Sequence, residues 1–289
     1  MYYIRTMIAF LQEVLPLPGL PPWLRAYIWT MLFYGVVYVA FFVIERLRPV
    51  ERVDWSSLWL NVRVALVLQA VIMILASTLQ PALMQASAGW RPAGGLVHTA
   101  DYARQGLLFV VYLLAYDFLY YWLHRWMHKF DGLWAIHKLH HTETHVNVTT
   151  TLRVHWLEEV LKMFVIIFPL SIVFDAPPVA SAWLAATLGI WLFFVHANMK
   201  ISFGPLSWLI TSPAVHRIHH STDPVLANRN FAVLFPVWDV LFGTYVPPKP
   251  GWYPQTGVAG ETTRGFVDAN MTPFNTLAAQ AAAKRRQTG

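Results

Sequence analysis

The chain contains no cysteine. That absence excludes disulfides, thiolate nucleophiles, iron–sulfur clusters and cysteine-type zinc sites, so any metal must be held by His, Asp or Glu. Charge is scarce as well. Only 12% of the 289 residues are charged, 56% are hydrophobic, and the mean hydropathy is +0.44. So little polar surface cannot coat a water-facing globule, and part of the outside must face lipid. No cleavable leader is evident: Met1–Leu20 holds Arg5 and a short apolar run, breaks at Pro16, Pro18 and Pro21-Pro22, and reads as mature sequence. An H-E-x-x-H metalloprotease motif, a flavin fingerprint and a nucleic-acid-binding module are all missing. No repeat of fixed period is visible, although H-x-x-H-H occurs twice.

Long apolar runs are present instead. They predict spans at Ala26–Ile44, Leu58–Ser77, Leu107–Leu123, Val160–Phe174 and Val179–Val195, the last two joined by a tight turn at Asp175-Ala176-Pro177-Pro178. Met7–Leu17 is too short to span and could dip into the interface. The expected fold is all-α: an integral membrane helical bundle of about four to six membrane-embedded helices under a cytoplasmic helical cap. Fifteen of the 21 Lys and Arg residues follow spans one, three and five, four lie on the opposite side (Arg5, Arg25, Arg91, Arg104), and Arg63 and Lys162 sit at the boundary. That asymmetry makes the richer side cytoplasmic. Topology therefore accounts for the net charge of +6 better than a nucleic-acid partner does.

Nine of the twelve histidines form a pattern. His124 and His128 are four apart in HRWMH; His137, His140 and His141 form HKLHH; His216, His219 and His220 form HRIHH; His196 ends span five. Residues three and four apart share a helix face, so each cluster is expected to present two or three imidazoles to a single point. Spans assigned without the histidines put all four groups at the cytoplasmic boundary. One buried histidine is usually a hydrogen-bonded core residue, but two tandem H-x-x-H-H groups beside an H-x-x-x-H demand a metal. A tetrahedral zinc takes about four ligands, too few to use nine. Two metals of higher coordination would absorb them and leave room for water, O2 or substrate, which points to a pair of irons acting on a lipid. Glu-x-x-His pairs of the soluble di-iron bundles are missing, so such a site is all-histidine.

The segments DFLYYWLHRWMH, LWAIHKLHH, NVTTTLRVHWLEE, FFVHANMKISFGPLSWLITSPAVHRIHH and NRNFAVLFPVWDVLFGTY carry a resemblance over about Tyr116–Tyr245. The chain resembles the fatty acid hydroxylase/sterol desaturase superfamily of integral-membrane di-iron oxygenases. The resemblance implies two irons (zinc can replace them in purified protein) ligated by His124, His128, His137, His140, His141, His196, His216, His219 and His220. It implies O2-dependent hydroxylation of a fatty acyl, sterol-like or ether lipid, or desaturation at the same site. Electrons would come from an external donor, such as a cytochrome b5-like protein, a ferredoxin or a reductase. Some fatty acyl 2-hydroxylases of the family carry a second histidine four after the lone one; Lys200 stands there, setting this chain apart from them.

His145, His155, Asp117, Asn147, Glu158, Asn198 and Asp239 are further ligand or outer-shell candidates, with Asn228 and Asn230 beside them. His98 falls on the opposite side and receives no role. Tyr120, Tyr121, Trp122, Trp126 and Trp134 read as an interface belt. The expected organisation is membrane helices over 1–106, a catalytic domain over 107–246 and a peripheral or disordered tail over 247–289. Two readings of another class compete: a haem electron carrier and a metal-binding membrane protein without oxygenase activity. The haem carrier needs single histidines facing one another at membrane depth, which triplets at span ends do not supply.

Overall fold

The computed structural model describes residues 17–52, 54–90, 102–174, 178–263 and 265–288. His98, Met7–Leu17 apart from its last residue, and the expected turn at 175–177 lie outside them. Among the described residues the chain is helical, with a single antiparallel bridge, Ser221 to Thr256, and no strand.

Helix α1, Pro22–Glu45, opens with proline in its first turn, where the missing N–H would have no partner anyway. Helix α2, Trp55–Ser77, is capped by Asp54, whose carboxylate accepts Ser56 N at 3.0 Å. At Thr78 the chain bends into α3, Leu79–Ala88. Helix α4, Tyr102–Lys129, follows. Three stretches are long and apolar enough to cross a membrane: Trp23–Glu45, Trp55–Ala88 and Gly106–Lys129. Valines stud the outside of α1, with Val36 69% exposed, as expected of a lipid-facing helix.

The predicted span Val160–Phe174 is not a continuous α-helix. It divides into α6, Trp156–Lys162, a π-turn, Met163–Ile167, and α7, Phe168–Val173. Pro169 has no N–H to give the carbonyl four residues back, so the ladder widens at the preceding turn. Before this segment, α5, Asp131–His141, folds back along α4 because Phe130 adopts an extended backbone (φ −104°, ψ 125°) between them. Helix α8, Pro178–His196, coincides with the fifth predicted span. Three short helices, α9 (Pro213–His219), α10 (Pro224–Ala227) and α11 (Val237–Leu241), complete the cap. Helix α12, Phe266–Thr288, closes the chain.

Two apolar clusters fix the elements that carry the histidines. Leu113, Tyr120, Leu123 and Met127 of α4 pack with Ile166, Leu170, Leu188, Val233 and Leu234. Leu60 and Val64 of α2 pack with Leu139 of α5 and Ala269 of α12. Where such a leucine or valine leaves water, burial stabilises the fold by about 1.5–3 kcal/mol; within the bilayer, where lipid is equally apolar, close packing takes its place. Polar ties do the rest. Glu45 at the end of α1 accepts Val148 N and Asn198 N, each at 2.7 Å. Arg153, 2% exposed, donates to Leu139 O, Asn61 Oδ1 and Thr142 Oγ1 at 3.1, 2.8 and 2.9 Å and lies 3.5 Å from Glu143. Glu143 in turn accepts from Asn61 at 2.7 Å and from Ser57.

The segment expected as a peripheral or disordered tail is bound to the cap. Gly257 N donates to His220 O at 3.1 Å, Arg217 Nε donates to Pro254 O at 3.0 Å, and α12 packs chiefly on α5. Gly257 has φ 122°, and a Cβ there would stand 3.1 Å from Thr144 Cγ2, so glycine alone fits the crossing.

Candidate metal centre

The fold brings all nine histidines of the pattern into two adjoining groups. His124, His128, His137, His141 and His219 form one; His140, His196, His216 and His220 form the other, and within each group every ligand atom lies within 4.8 Å of the rest. In the first, Nε2–Nε2 separations are 3.1 Å for His124–His137, 3.1 Å for His128–His141 and 3.2 Å for His137–His141. In the second they are 3.1 Å for His140–His196, 2.9 Å for His196–His216 and 3.2 Å for His216–His220. The groups touch where the His141 and His220 rings stack, 4.6 Å between centroids.

The grouping corrects one expectation. Each H-x-x-H-H does not aim at a single point. His137 and His141 serve the first group while His140, between them, serves the second; His216 and His220 serve the second while His219 serves the first. Helical geometry gives the reason: residues i and i+4 differ by about 40° around the axis, whereas i+3 stands about 100° from i+4. Each tandem motif therefore lends one imidazole to its neighbour's group, and the two groups are interlocked.

Outer hydrogen bonds fix the tautomers. His124 Nδ1 donates to Phe231 O at 2.7 Å, His196 Nδ1 to Leu192 O at 2.7 Å, and His219 Nδ1 to Arg229 O at 2.9 Å. His137 Nδ1 donates to Glu158 Oε2 at 2.8 Å. A ring whose Nδ1 bears the proton presents a lone pair at Nε2. With Nδ1 protonated, the Nε2 atoms of His124 and His137 face each other across 3.1 Å, an arrangement that a bound cation would relieve. His219 Nε2 is buried with no hydrogen-bond partner. These residues fit a metal pair.

Burial, and then the neighbouring imidazoles, push His140, His141, His216 and His220 well below their ordinary pKa, and His219 down to about 3. All five are neutral at cellular pH, the form that binds metal. Burial alone would raise the Glu158 carboxyl, but Lys162 and His137 outweigh it and hold it at about 2. Lys162 Nζ lies 3.1 Å from Glu158 Oε1, giving a chain His137–Glu158–Lys162.

Of the further ligand and outer-shell candidates, Glu158 hydrogen-bonds a histidine of the pattern. Asp117 acts one step further out: its carboxylate accepts Val233 N, Leu234 N and Phe235 N at 3.0, 3.0 and 2.7 Å. Asp239 does the same for Phe231 N and Ala232 N at 2.8 and 2.9 Å. Together they clamp the segment whose Phe231 carbonyl orients His124. Asn230, at φ 54°, holds the same segment to Val215 O and Val246. Asn147 caps the short 3-10 turn Val148–Leu152, and Asn198 accepts Val50 N and Glu51 N. His145 contacts Thr144 Oγ1, His155 caps α6 and reaches Asn270 O, and Asn228 bonds Pro224 O; none joins either group.

The aromatic residues divide. Trp134 lies against the His128 and His141 rings, Tyr120 lies against His124, and Tyr121 is buried with its hydroxyl on Thr244 and Arg125, so these three are not belt residues. Trp122 and Trp126 line an outer apolar groove with Phe118, Leu119 and Val165. Sequence reading missed Arg153, Lys162 and the carbonyls of Leu192, Arg229 and Phe231. A carbonyl carries no residue identity, so no signal could have found the last three.

An Asp117→Ala variant strands three backbone N–H groups, at about 1–3 kcal/mol for each that stays buried. It is expected to lower metal affinity about 10–100-fold by loosening His124. Metal titration of the purified variant checks this; wild-type affinity would sever Asp117 from the site.

Residues 109–244 match the fatty acid hydroxylase family. An ornithine lipid hydroxylase of Rhizobium tropici is 28% identical over 267 residues, 85% of this chain and 76% of that one. The alkylglycerol monooxygenase of Xenopus tropicalis is 35% identical over 117 residues, and the human one 33% identical over 113. The chain spans about a quarter of the length of these monooxygenases, 26% and 25%. No solved structure matches the chain. Sequence match and histidine order agree: residues 109–244, just under half of the chain, match a fatty acid hydroxylase domain, which supports the fatty acid hydroxylase/sterol desaturase superfamily.

Proposed function

We propose that this protein is an integral-membrane di-iron hydroxylase that uses O2 to oxidise an unactivated C–H bond of a membrane lipid. The carrying observation is the pair of interlocked all-imidazole groups, nine buried or half-buried histidines with lone pairs aimed inward. Donor count supports an ion of higher coordination than tetrahedral zinc: the first group offers five imidazoles, and zinc takes about four ligands. Bound iron would supply O2 activation and hydrogen abstraction.

The chain's own residues provide the setting. His124, His128, His137, His141 and His219 would hold one iron, and His140, His196, His216 and His220 the other. Glu158, Phe231 O, Leu192 O and Arg229 O keep the imidazoles turned inward. The bundle crosses the bilayer several times with this cap on the cytoplasmic side, so a lipid chain reaches the site without entering water. An ornithine lipid or an alkylglycerol, the substrates in the relatives' names, exemplifies the class: an alkyl chain beneath a polar head. The outer groove at Phe118, Trp122 and Trp126 lies on the face of α4 away from His124 and His128. These residues offer no cysteine for an iron–sulfur cluster, and a basic cytoplasmic face suits an acidic electron carrier.

The test is lipid analysis of membranes with the active protein and with His137→Ala, under isotopically heavy O2. The expected result is a lipid heavier by one labelled oxygen that appears only with the active protein. A product that has lost two hydrogens and gained no oxygen would assign desaturation, and no difference would refute oxygenase activity.

A further inference from the structure

We propose that α12 is an interfacial helix: it lies along the cytoplasmic boundary of the bilayer and buries an apolar stripe in it. The side of the membrane rests on the orientation proposed above; the contact with lipid does not. Both ends of α12 abut ends of membrane-length helices. At its start, Phe266 and Ala269 pack on Leu60 and Val64, in the first turns of the stretch Trp55–Ala88. Near its finish, Lys284 pairs with Asp131 at 3.2 Å and Gln280 donates to Asp131 O at 3.5 Å, two residues past the end of Gly106–Lys129. The start of the second span and the end of the third lie on one side of the membrane. A helix of 23 residues, about 34 Å long, laid between them runs along the boundary rather than across it.

Its two faces agree. Phe266, Ala269, Pro273 and Thr276 turn inward, while Val267, Met271, Phe274 and Leu277 turn outward at helical spacing, 75%, 42%, 50% and 44% exposed. Exposed apolar residues contiguous along one helix face need a covering. Exposed aromatics stand at the same level, Trp55 and Trp59 where α2 begins and Trp126 and Phe130 where α4 ends, as they do at membrane–water interfaces. Lys284, Arg285 and Arg286 end the helix with positive charge, which anionic headgroups attract. Lipid is thus the occupant that the position, the stripe and the charge all favour. Because α12 packs on α5, which carries His137, His140 and His141, its seating would also set the height of the metal site above the bilayer.

The missing cysteines make the test direct. Val267→Cys, Met271→Cys and Phe274→Cys, with Asn275→Cys and Ala279→Cys on the flanking face, are spin-labelled in the full chain. They are then reconstituted in phosphatidylcholine–phosphatidylglycerol vesicles. Relaxation by O2 is expected to exceed relaxation by a water-soluble nickel complex severalfold at the three stripe positions, with the order reversed at the two flanking ones. Nickel access at the stripe equal to that at the flank would overturn the proposal. So would a short label-to-label distance between copies, which would assign the stripe to a second molecule. Metal content at the wild-type level identifies the folded variants, and Leu277→Cys replaces any stripe variant that loses it.

Discussion

His196→Ala is expected to halve the metal content of the purified protein, from about two ions to about one, and to abolish product formation. His196 belongs to the four-histidine group alone, and its Nε2 lies 3.1 Å from His140 and 2.9 Å from His216, between two of its three companions. Alanine leaves three imidazoles there and leaves the five-histidine group complete. The partner experiment is His128→Ala, which removes a ligand from the other group and should spare the ion that His196 helps to hold. Elemental analysis with Mössbauer spectroscopy separates the two, because the surviving iron differs between the variants. The interlocked assignment fails if both variants lose both ions equally, or if either keeps two. His140→Ala sharpens the contrast: although it stands beside His141 in the chain, it should resemble His196→Ala.

The second large effect concerns stability. Arg153→Met leaves the Glu143 carboxylate buried without its counter-charge, and removing one partner of a buried ion pair costs about 3–5 kcal/mol. It also strands Leu139 O, the carbonyl between His137 and His140, and Asn61 Oδ1 on α2. Arg153→Lys should not rescue, because one ammonium cannot reproduce a planar fork that serves three acceptors in different directions. The double variant Arg153→Met/Glu143→Leu should be milder than Arg153→Met alone, since no unpaired charge remains. Unfolding in detergent at matched metal content measures the cycle. A double variant as unstable as the sum of the two singles would show that the pair does not interact.

The clearest contrast between sequence and structure lies in the fourth predicted span. Hydropathy sees Val160–Phe174 as one apolar run, but a single proline opens it into a π-turn, which composition averaged over a window cannot register. Asp117 shows the same limit from the other direction. Its place two turns before His124 was legible, yet its three hydrogen bonds go to main-chain N–H groups more than a hundred residues away. The region from 247 onward looked like a tail because its sequence is rich in Pro, Gly and Ala. Part of its hold on the cap uses main-chain groups, the Pro254 carbonyl and the Gly257 N–H, which side-chain pattern does not encode.

Sequence by itself determined the solvent, since so few charges cannot face water all round, and it determined which nine imidazoles gather, because helical spacing puts them on nearby faces at span ends. Tertiary structure alone decided how they divide into five and four. Within one helix the angle between His137, His140 and His141 is set by residue spacing, but which ring from α8, α9 or α4 meets each is set by how the helices pack. Packing is decided by contacts distant in sequence, such as those of Leu139 with Leu60 and Ala269, and no local pattern contains them.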